Sequence, residues 1–170
     1  GFLGACEFDA AAERRIRILK KAGYNSIRSA HNPASRAILR ACDRLGMYVM
    51  DEAFDAWYIP KTYHDYSRDF AENFKLDIAS MLNRDYNYPC VVMYSVGNEN
   101  SELGSDKGIR FFKEQTEFIK SLDSTRIVTI GANLMLMDGR KIYAEDTGYK
   151  REPLDPSKND DRIADLDKHG

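Results

Sequence analysis

Between Arg84 and Glu99 the chain reads RDYNYPCVVMYSVGNE, and no other stretch restricts the fold as much. Residues 90–96 form an almost unbroken apolar run rich in Val, bounded upstream by the turn Asn87, Tyr88, Pro89. The pattern predicts a parallel strand covered on both faces, because a strand between two layers needs no polar alternation. The run stops at Gly97, Asn98 and Glu99. In open α/β sheets and β/α barrels, ligands bind at the C-terminal ends of the strands. A carboxylate carried there by rigid backbone is therefore a candidate acid or base. The plain alternative is that Glu99 begins a solvated loop and Asn98 satisfies a turn.

The rest of the chain alternates between helical and strand periods. Residues 10–22 place Ile16, Ile18, Leu19 and Ala22 at helical spacing, and Gly23 supplies the stop. A short strand over 24–29 follows, then the turn His31, Asn32, Pro33 and a second helix over 35–45 that ends at Gly46. MYVM, residues 47–50, predicts the next strand, with Asp51 and Glu52 at its end. Residues 70–82 read as a third helix, with Phe70, Phe74, Leu76, Ile78 and Leu82 on its inner face. Residues 106–121 read as a fourth, with Ile109, Phe112, Phe118 and Ile119 inward, and RIVTIG at 126–131 is the next strand. Strand and helix in strict succession argue for a parallel sheet with right-handed crossovers, doubly wound or a barrel segment.

At 170 residues with 43% hydrophobic and 31% charged positions, the chain supports one core. A complete eight-stranded β/α barrel needs roughly 250 residues, so the expectation is a smaller α/β domain or a piece of a larger one. A net charge of −2 offers no basic field for nucleic acid. No apolar run approaches the ~20 residues of a membrane span, and the N-terminus shows no basic segment followed by an apolar stretch. Neither nucleic acid nor a membrane is an expected partner. Cys6, Cys42 and Cys90 are odd in number and form no CxxC pair, and they read as small buried hydrophobes. Beyond Met137 the pattern decays. Residues 148–170 are dominated by Lys, Asp and Pro and read as an extended segment of the same domain, with at most a short turn at Ile163 and Leu166.

Parallel strands bring all their C-terminal ends to one face. Arg28 with His31 and Asn32, Asp51 with Glu52, Asn98 with Glu99, and Ala132 with Asn133 then converge on one cleft. Each has a structural counterpart. Arg28 and Asp51 can pair as buried ions, His31 can close its turn, Trp57 can be core, and Glu52 can be a hydrogen-bond acceptor. The connection over 54–67 holds Trp57, Tyr58, Tyr63, His64 and Tyr66. So aromatic a loop suits sugar faces, and it equally suits a lid or a subunit contact.

Three segments carry a family resemblance: YNSIRSAHNP at 24–33, LGMYVMDEAFDAW at 45–57 and RDYNYPCVVMYSVGNE at 84–99. Their order and separations resemble successive signatures of glycoside hydrolase family 2, the β-galactosidase, β-glucuronidase and β-mannosidase group, from about Gly1 to Asn133. The resemblance implies a partial TIM (β/α)8 barrel, approximately strands two to five with their helices, over residues 1–147. It implies a β-glycoside substrate cleaved with retention, Glu99 as general acid and then base, and Asn98 on the sugar hydroxyl beside the reacting carbon. Arg28, His31, Asn32, Asp51 and Trp57 are the other implied substrate-site residues, with Arg28 orienting the nucleophile and His31 touching the sugar.

Retaining chemistry needs two carboxyl groups roughly 5 Å apart, one of which holds a proton at working pH. In the family the nucleophilic Glu lies on a later strand, and neither Glu145 nor Glu152 has the apolar strand its motif requires. The segment alone is thus expected to be inactive. It is also expected to self-associate through its open barrel edges, which expose unpaired backbone and apolar surface. The family commonly has Trp at the position of Tyr94 and His at that of Tyr88. After Glu52 the chain reads AFDAWY and lacks the Glu and His that hold magnesium in a bacterial member, so neither a metal nor a cofactor is expected. Galactose is preferred over glucuronate or mannose because FDAW resembles the β-galactosidase members. A non-catalytic carbohydrate-binding module, recognising sugar through residues 57–66, is the competing class.

Overall fold

The computed structural model describes residues 7–134 and contains four parallel strands alternating with four helices. The strands are β1 (Ser26–Arg28), β2 (Tyr48–Glu52), β3 (Val91–Asn98) and β4 (Ile127–Gly131), hydrogen-bonded in the order β1-β2-β3-β4. The helices are α1 (Asp9–Lys21), α2 (Arg36–Leu45), α3 (Ser67–Asp85) and α4 (Asp106–Leu122), with one 3-10 turn at Ser101–Gly104. Sequential order and parallel pairing throughout are the architecture of a β/α-barrel segment. Cys6, Glu145, Glu152 and the C-terminal stretch 148–170 lie outside the described residues.

Local chemistry accounts for the helix boundaries. Gly23 takes φ +92° and closes α1 with a pair of hydrogen bonds, Gly23 N–H to Lys20 O and Tyr24 N–H to Leu19 O, a left-handed stop that a Cβ would strain. Ser35 caps α2 by accepting from the Ile38 N–H at 3.1 Å, and Ser105 caps α4 by accepting from the Gly108 N–H at 3.1 Å.

The core lies between the sheet and the helices. Val49 and Asp51 of β2 and Tyr94 of β3 point into this layer and are fully buried. Ile16, Leu39, Cys42, Phe70, Ile78 and Ile119 meet them from the helices. By strand alternation Met50 and Met93, paired across β2 and β3, face the other way, where both stay half-exposed. Four apolar-face assignments fail: Ile18, Ala22, Leu76 and Ile109 are exposed. The periodicity finds a helix's apolar stripe, but these residues sit at the stripe's edge, where the neighbouring helix decides coverage. Cys42 and Cys90 are free and buried, and burial pushes the Cys42 thiol up to about 12.

Asp51 is an outer-layer residue and pairs with Arg84, not with Arg28. Its carboxylate also accepts from Ser29 Oγ at 2.6 Å and from the Ala34 N–H at 2.8 Å. Arg84 in turn donates to Asp85 at 2.6 Å and to the Ala34 carbonyl at 2.6 Å, tying α3 to the β1–α2 loop. The expectation that Asp51 faces substrate is thereby corrected. β2 extends through Glu52, so alternation sends Asp51 to the helices and Glu52 to the concave face.

Gly108 allows the 3-10 turn to sit directly on α4. A Cβ there would lie 1.9 Å from the backbone oxygen of Glu102 and 2.2 Å from its carbon. Backbone cannot move aside as a side-chain tip can, so Gly108→Ala is expected to cost about 3 kcal/mol in urea unfolding of the full-length protein. A loss below about 1 kcal/mol would mean that the turn is not seated on the helix.

Candidate active site

The C-terminal ends of the strands carry one connected polar cluster on the concave face. Its centre is Glu52, the last residue of β2 and fully buried. Arg28, at the end of β1, donates to both Glu52 oxygens, Nε to Oε2 at 2.8 Å and Nη2 to Oε1 at 2.9 Å. Ser95 Oγ of β3 donates to Oε2 at 2.7 Å, and His31 Nδ1 lies 2.8 Å from Oε1. A buried carboxylate with a bidentate guanidinium and two further donors is satisfied as an ion. Gly131 of β4 makes room for this, since a Cβ there would stand 2.6 Å from Arg28 Nη2.

Asn98 extends the cluster from β3. Its Oδ1 accepts from Arg28 Nη2 at 2.7 Å and its Nδ2 donates to Asp55 Oδ1 at 3.1 Å, which fixes the orientation of the amide. One amide N–H is left uncommitted by these two bonds. His31 is likewise oriented: with Nδ1 on the Glu52 carboxylate, Nε2 is the ring atom available to a ligand, and the side chain is 37% exposed.

Glu99 follows on the rim, exposed, with φ +48°, the only non-glycine residue in the left-handed region among those described. Its N–H donates to the Gly131 carbonyl at 2.6 Å, and its Oε1 accepts from Asn133 Nδ2 at 3.0 Å. A left-handed carboxylate residue, held by the neighbouring strand's end, marks a position that the surrounding structure determines. Asp55 and Lys61 complete the rim: Lys61 Nζ lies 2.7 Å from Asp55 Oδ1 and also donates to the Asn98 carbonyl. Burial pushes the Asp55 carboxyl up, but hydrogen bonds from Lys61 and Asn98 and the charges of Lys61 and His31 outweigh it, so its pKa lies below the usual carboxylate value.

Of the residues singled out in the sequence, Arg28, His31, Glu52, Asn98, Glu99 and Asn133 come together. Asn32 is exposed in the bend after His31. Trp57 is not on the rim. It is fully buried, donates from Nε1 to the Val96 carbonyl at 2.8 Å and packs edge-on against Phe111 at 5.2 Å. Val96 lies where the β3–β4 register shifts, and the indole serves its carbonyl, which is why this aromatic is drawn inward. Tyr58 is buried too, and Tyr66 stacks on Phe54; Tyr63 and His64 remain exposed. Asp55, Lys61 and Ser95 escaped sequence reasoning. The available signal was a lone Lys in a loop otherwise noted for aromatics, and a Ser within an apolar strand.

No group of three or more His, Cys, Asp or Glu side chains among the described residues is placed to hold a metal ion, and no described helix is long and apolar enough to cross a membrane.

Parallel strands in sequential order, with an acid, an amide, an arginine and a histidine gathered at their C-terminal ends, define a β/α-barrel of the kind that builds its active site on that rim. Residues 7–154 match the family described as glycosyl hydrolases family 2, TIM barrel domain, and the chain belongs to that family. It is 38% identical over 164 residues to the β-galactosidase BoGH2A of Bacteroides ovatus, covering 78% of this chain and 19% of that protein. It is 37% identical over 120 residues to a putative β-glucuronidase of Formosa agariphila, covering 69% of this chain and 11% of that one. A crystal structure of a family 2 member from Bacteroides cellulosilyticus is similar at a TM-score of 0.75 and 49% identity, covering 78% of this chain and 17% of that one. The chain thus spans less than a fifth of the length of each of these relatives.

Proposed function

We propose that this segment supplies the general acid/base of a retaining β-glycosidase, in the first instance a β-galactosidase, and that the residue is Glu99. The observation that carries the reading is Glu99 in left-handed backbone at the strand end, beside an Asn98 whose amide is already oriented by Arg28 and Asp55. Family membership and the β-galactosidase and β-glucuronidase relatives support the reaction class.

In the first half-reaction the Glu99 carboxylic acid gives its proton to the glycosidic oxygen as a second carboxylate, outside the described residues, bonds to the anomeric carbon and the aglycone leaves. In the second, the Glu99 carboxylate takes a proton from water, whose oxygen displaces the enzyme carboxylate and returns the β-anomer. The uncommitted Asn98 N–H is suited to the sugar hydroxyl beside the reacting carbon, and His31 Nε2 to another hydroxyl. Arg28 holds Glu52 and Asn98 in place and orients the second carboxylate. A β-glucuronidase is the second reading, favoured by the 37% identity to the putative β-glucuronidase of Formosa agariphila.

The test is a panel of aryl β-galactoside, β-glucuronide and β-mannoside with the full-length protein, followed by proton NMR. The β-galactoside is expected to be cleaved fastest, with the β-anomer of the sugar released first. Release of the α-anomer first would overturn retention, and no cleavage of any β-glycoside would overturn the assignment.

A further inference from the structure

Lys61 stands out on the rim because its ammonium touches the backbone next to Glu99 rather than a substrate-facing side chain. The Asn98–Glu99 peptide unit is gripped from both sides: its carbonyl accepts from Lys61 Nζ, and its N–H donates to the Gly131 carbonyl at 2.6 Å. Lys61 comes from the β2–α3 loop and Gly131 from β4, so two separate elements fix one peptide plane. Asp55 neutralises the ammonium at 2.7 Å and uses the same oxygen to hold the Asn98 amide at 3.1 Å.

Lys61 itself is delivered by a pinned turn. The Asp65 carboxylate accepts from the N–H groups of Lys61 at 2.6 Å and Thr62 at 2.9 Å, and from the Ser67 N–H at 3.0 Å. Glu102, buried in the 3-10 turn just after Glu99, accepts from the Ile59 N–H at 2.9 Å. Each end of the turn that carries Lys61 is therefore held by a carboxylate, and the ammonium arrives at the Asn98 carbonyl with little freedom left to lose.

From this geometry we infer that Lys61 is a positioning residue for the acid/base: by clamping the Asn98–Glu99 peptide it holds Glu99 in its left-handed conformation and aims the carboxyl at the leaving-group oxygen. The inference rests on Glu99 being the acid/base. A φ of +48° is disfavoured for a residue with a Cβ, and without the clamp the peptide can rotate toward ordinary backbone, carrying the carboxyl with it. Proton transfer tolerates such misplacement poorly, and a shift of about 1 Å can cost about 10²-fold. The Asn98 amide keeps its bonds to Arg28 and Asp55, so sugar binding is less affected than proton donation.

The experiment compares Lys61→Met and Lys61→Arg in the full-length enzyme on a sugar substrate with a poor alkyl leaving group and on its dinitrophenyl analogue. Lys61→Met is expected to lose about 10²-fold in kcat and kcat/KM on the alkyl glycoside, with KM nearly unchanged, and to lose much less in kcat/KM on the dinitrophenyl glycoside, because that ratio reports glycosyl-enzyme formation and not the hydrolysis that Glu99 also assists. Lys61→Arg, which can still reach the carbonyl with a charged donor, is expected to recover most of that loss. Equal losses in kcat/KM on both substrates, a loss confined to KM, or no loss would each overturn the clamp. Should Lys61→Met fail to fold, Lys61→Gln carries the same comparison, since it keeps a donor but lacks the charge and the reach. Glu99→Gln run alongside separates the two claims. A leaving-group split for Glu99→Gln without one for Lys61→Met sinks the clamp alone, whereas no split for Glu99→Gln sinks the acid/base reading beneath it.

Discussion

In the full-length enzyme, Glu99→Gln is expected to lower turnover of β-glycosides with poor leaving groups by about 10²- to 10⁴-fold, the range that a lost general acid/base produces. The substitution is close to isosteric. The Gln carbonyl can keep the bond from Asn133 Nδ2, which Glu99 Oε1 now accepts at 3.0 Å, so the rim stays intact while the exchangeable carboxyl proton is lost. An alkoxide leaves an anomeric carbon only if it is protonated as the bond breaks, but a dinitrophenolate leaves without help. Formation of the glycosyl-enzyme should therefore slow sharply for the first substrate and little for the second. Its hydrolysis should slow for both, since the same residue must accept the proton of the attacking water. The signature is a burst of dinitrophenol with a low steady state, relieved by azide, which attacks without base catalysis and yields a β-glycosyl azide. Equal rates for mutant and wild type on both substrates would remove Glu99 from the chemistry.

Arg28→Met is expected to destabilise the folded protein by about 2–3 kcal/mol in denaturant unfolding, because Glu52 is left buried without its counter-ion, while the 33% exposure of the Arg28 side chain makes the loss smaller than for a fully buried pair. Glu52 is fully buried, and Arg28 is the one permanent cation donating to it. Without the guanidinium, the carboxylate keeps Ser95 and His31 but has no fixed positive charge, and Asn98 Oδ1 loses its donor as well. The double variant Arg28→Met, Glu52→Met is expected to be more stable than Arg28→Met alone, because removing both charges ends the desolvation cost of the one left behind. If the double variant is the less stable by the sum of the single losses, the two side chains are not coupled and this account of the cluster is wrong. Activity should be lost in both, since Asn98 needs Arg28 to hold its amide.

How far the sequence reaches is seen best at β3. The apolar run over 90–96, bounded by Pro89 and Gly97, was enough to place a strand, and the strand extends only two residues further, to Asn98. Burial on the outer face required the Val and Tyr residues, so their pattern carried the information. Side-chain direction was less legible. Asp51 and Glu52 look equivalent in sequence, but β2 runs through both, and alternation sends one to Arg84 of the helical layer and the other to Arg28 of the rim. One residue's difference in where the strand ends exchanges their roles, and no local signal fixes that end. Trp57 illustrates the same gap: its composition suits a sugar platform, yet the Val96 carbonyl and Phe111 claim it for the core.

Periods, glycine stops and strand-end polar residues determined by themselves that this chain alternates strand and helix, that the strands are parallel, and that Arg28, His31, Asn98 and Glu99 share a rim, because each of these follows from local preference and from the common direction of parallel strands. Tertiary structure alone decided that Glu52 rather than Asp51 anchors Arg28, that Trp57 turns inward, and that Lys61 reaches the backbone beside Glu99. Those outcomes depend on contacts between residues 24 to 39 positions apart in the chain or on which face a strand presents, and such choices are made by packing and by the need to pair every buried polar group, not by neighbouring residues.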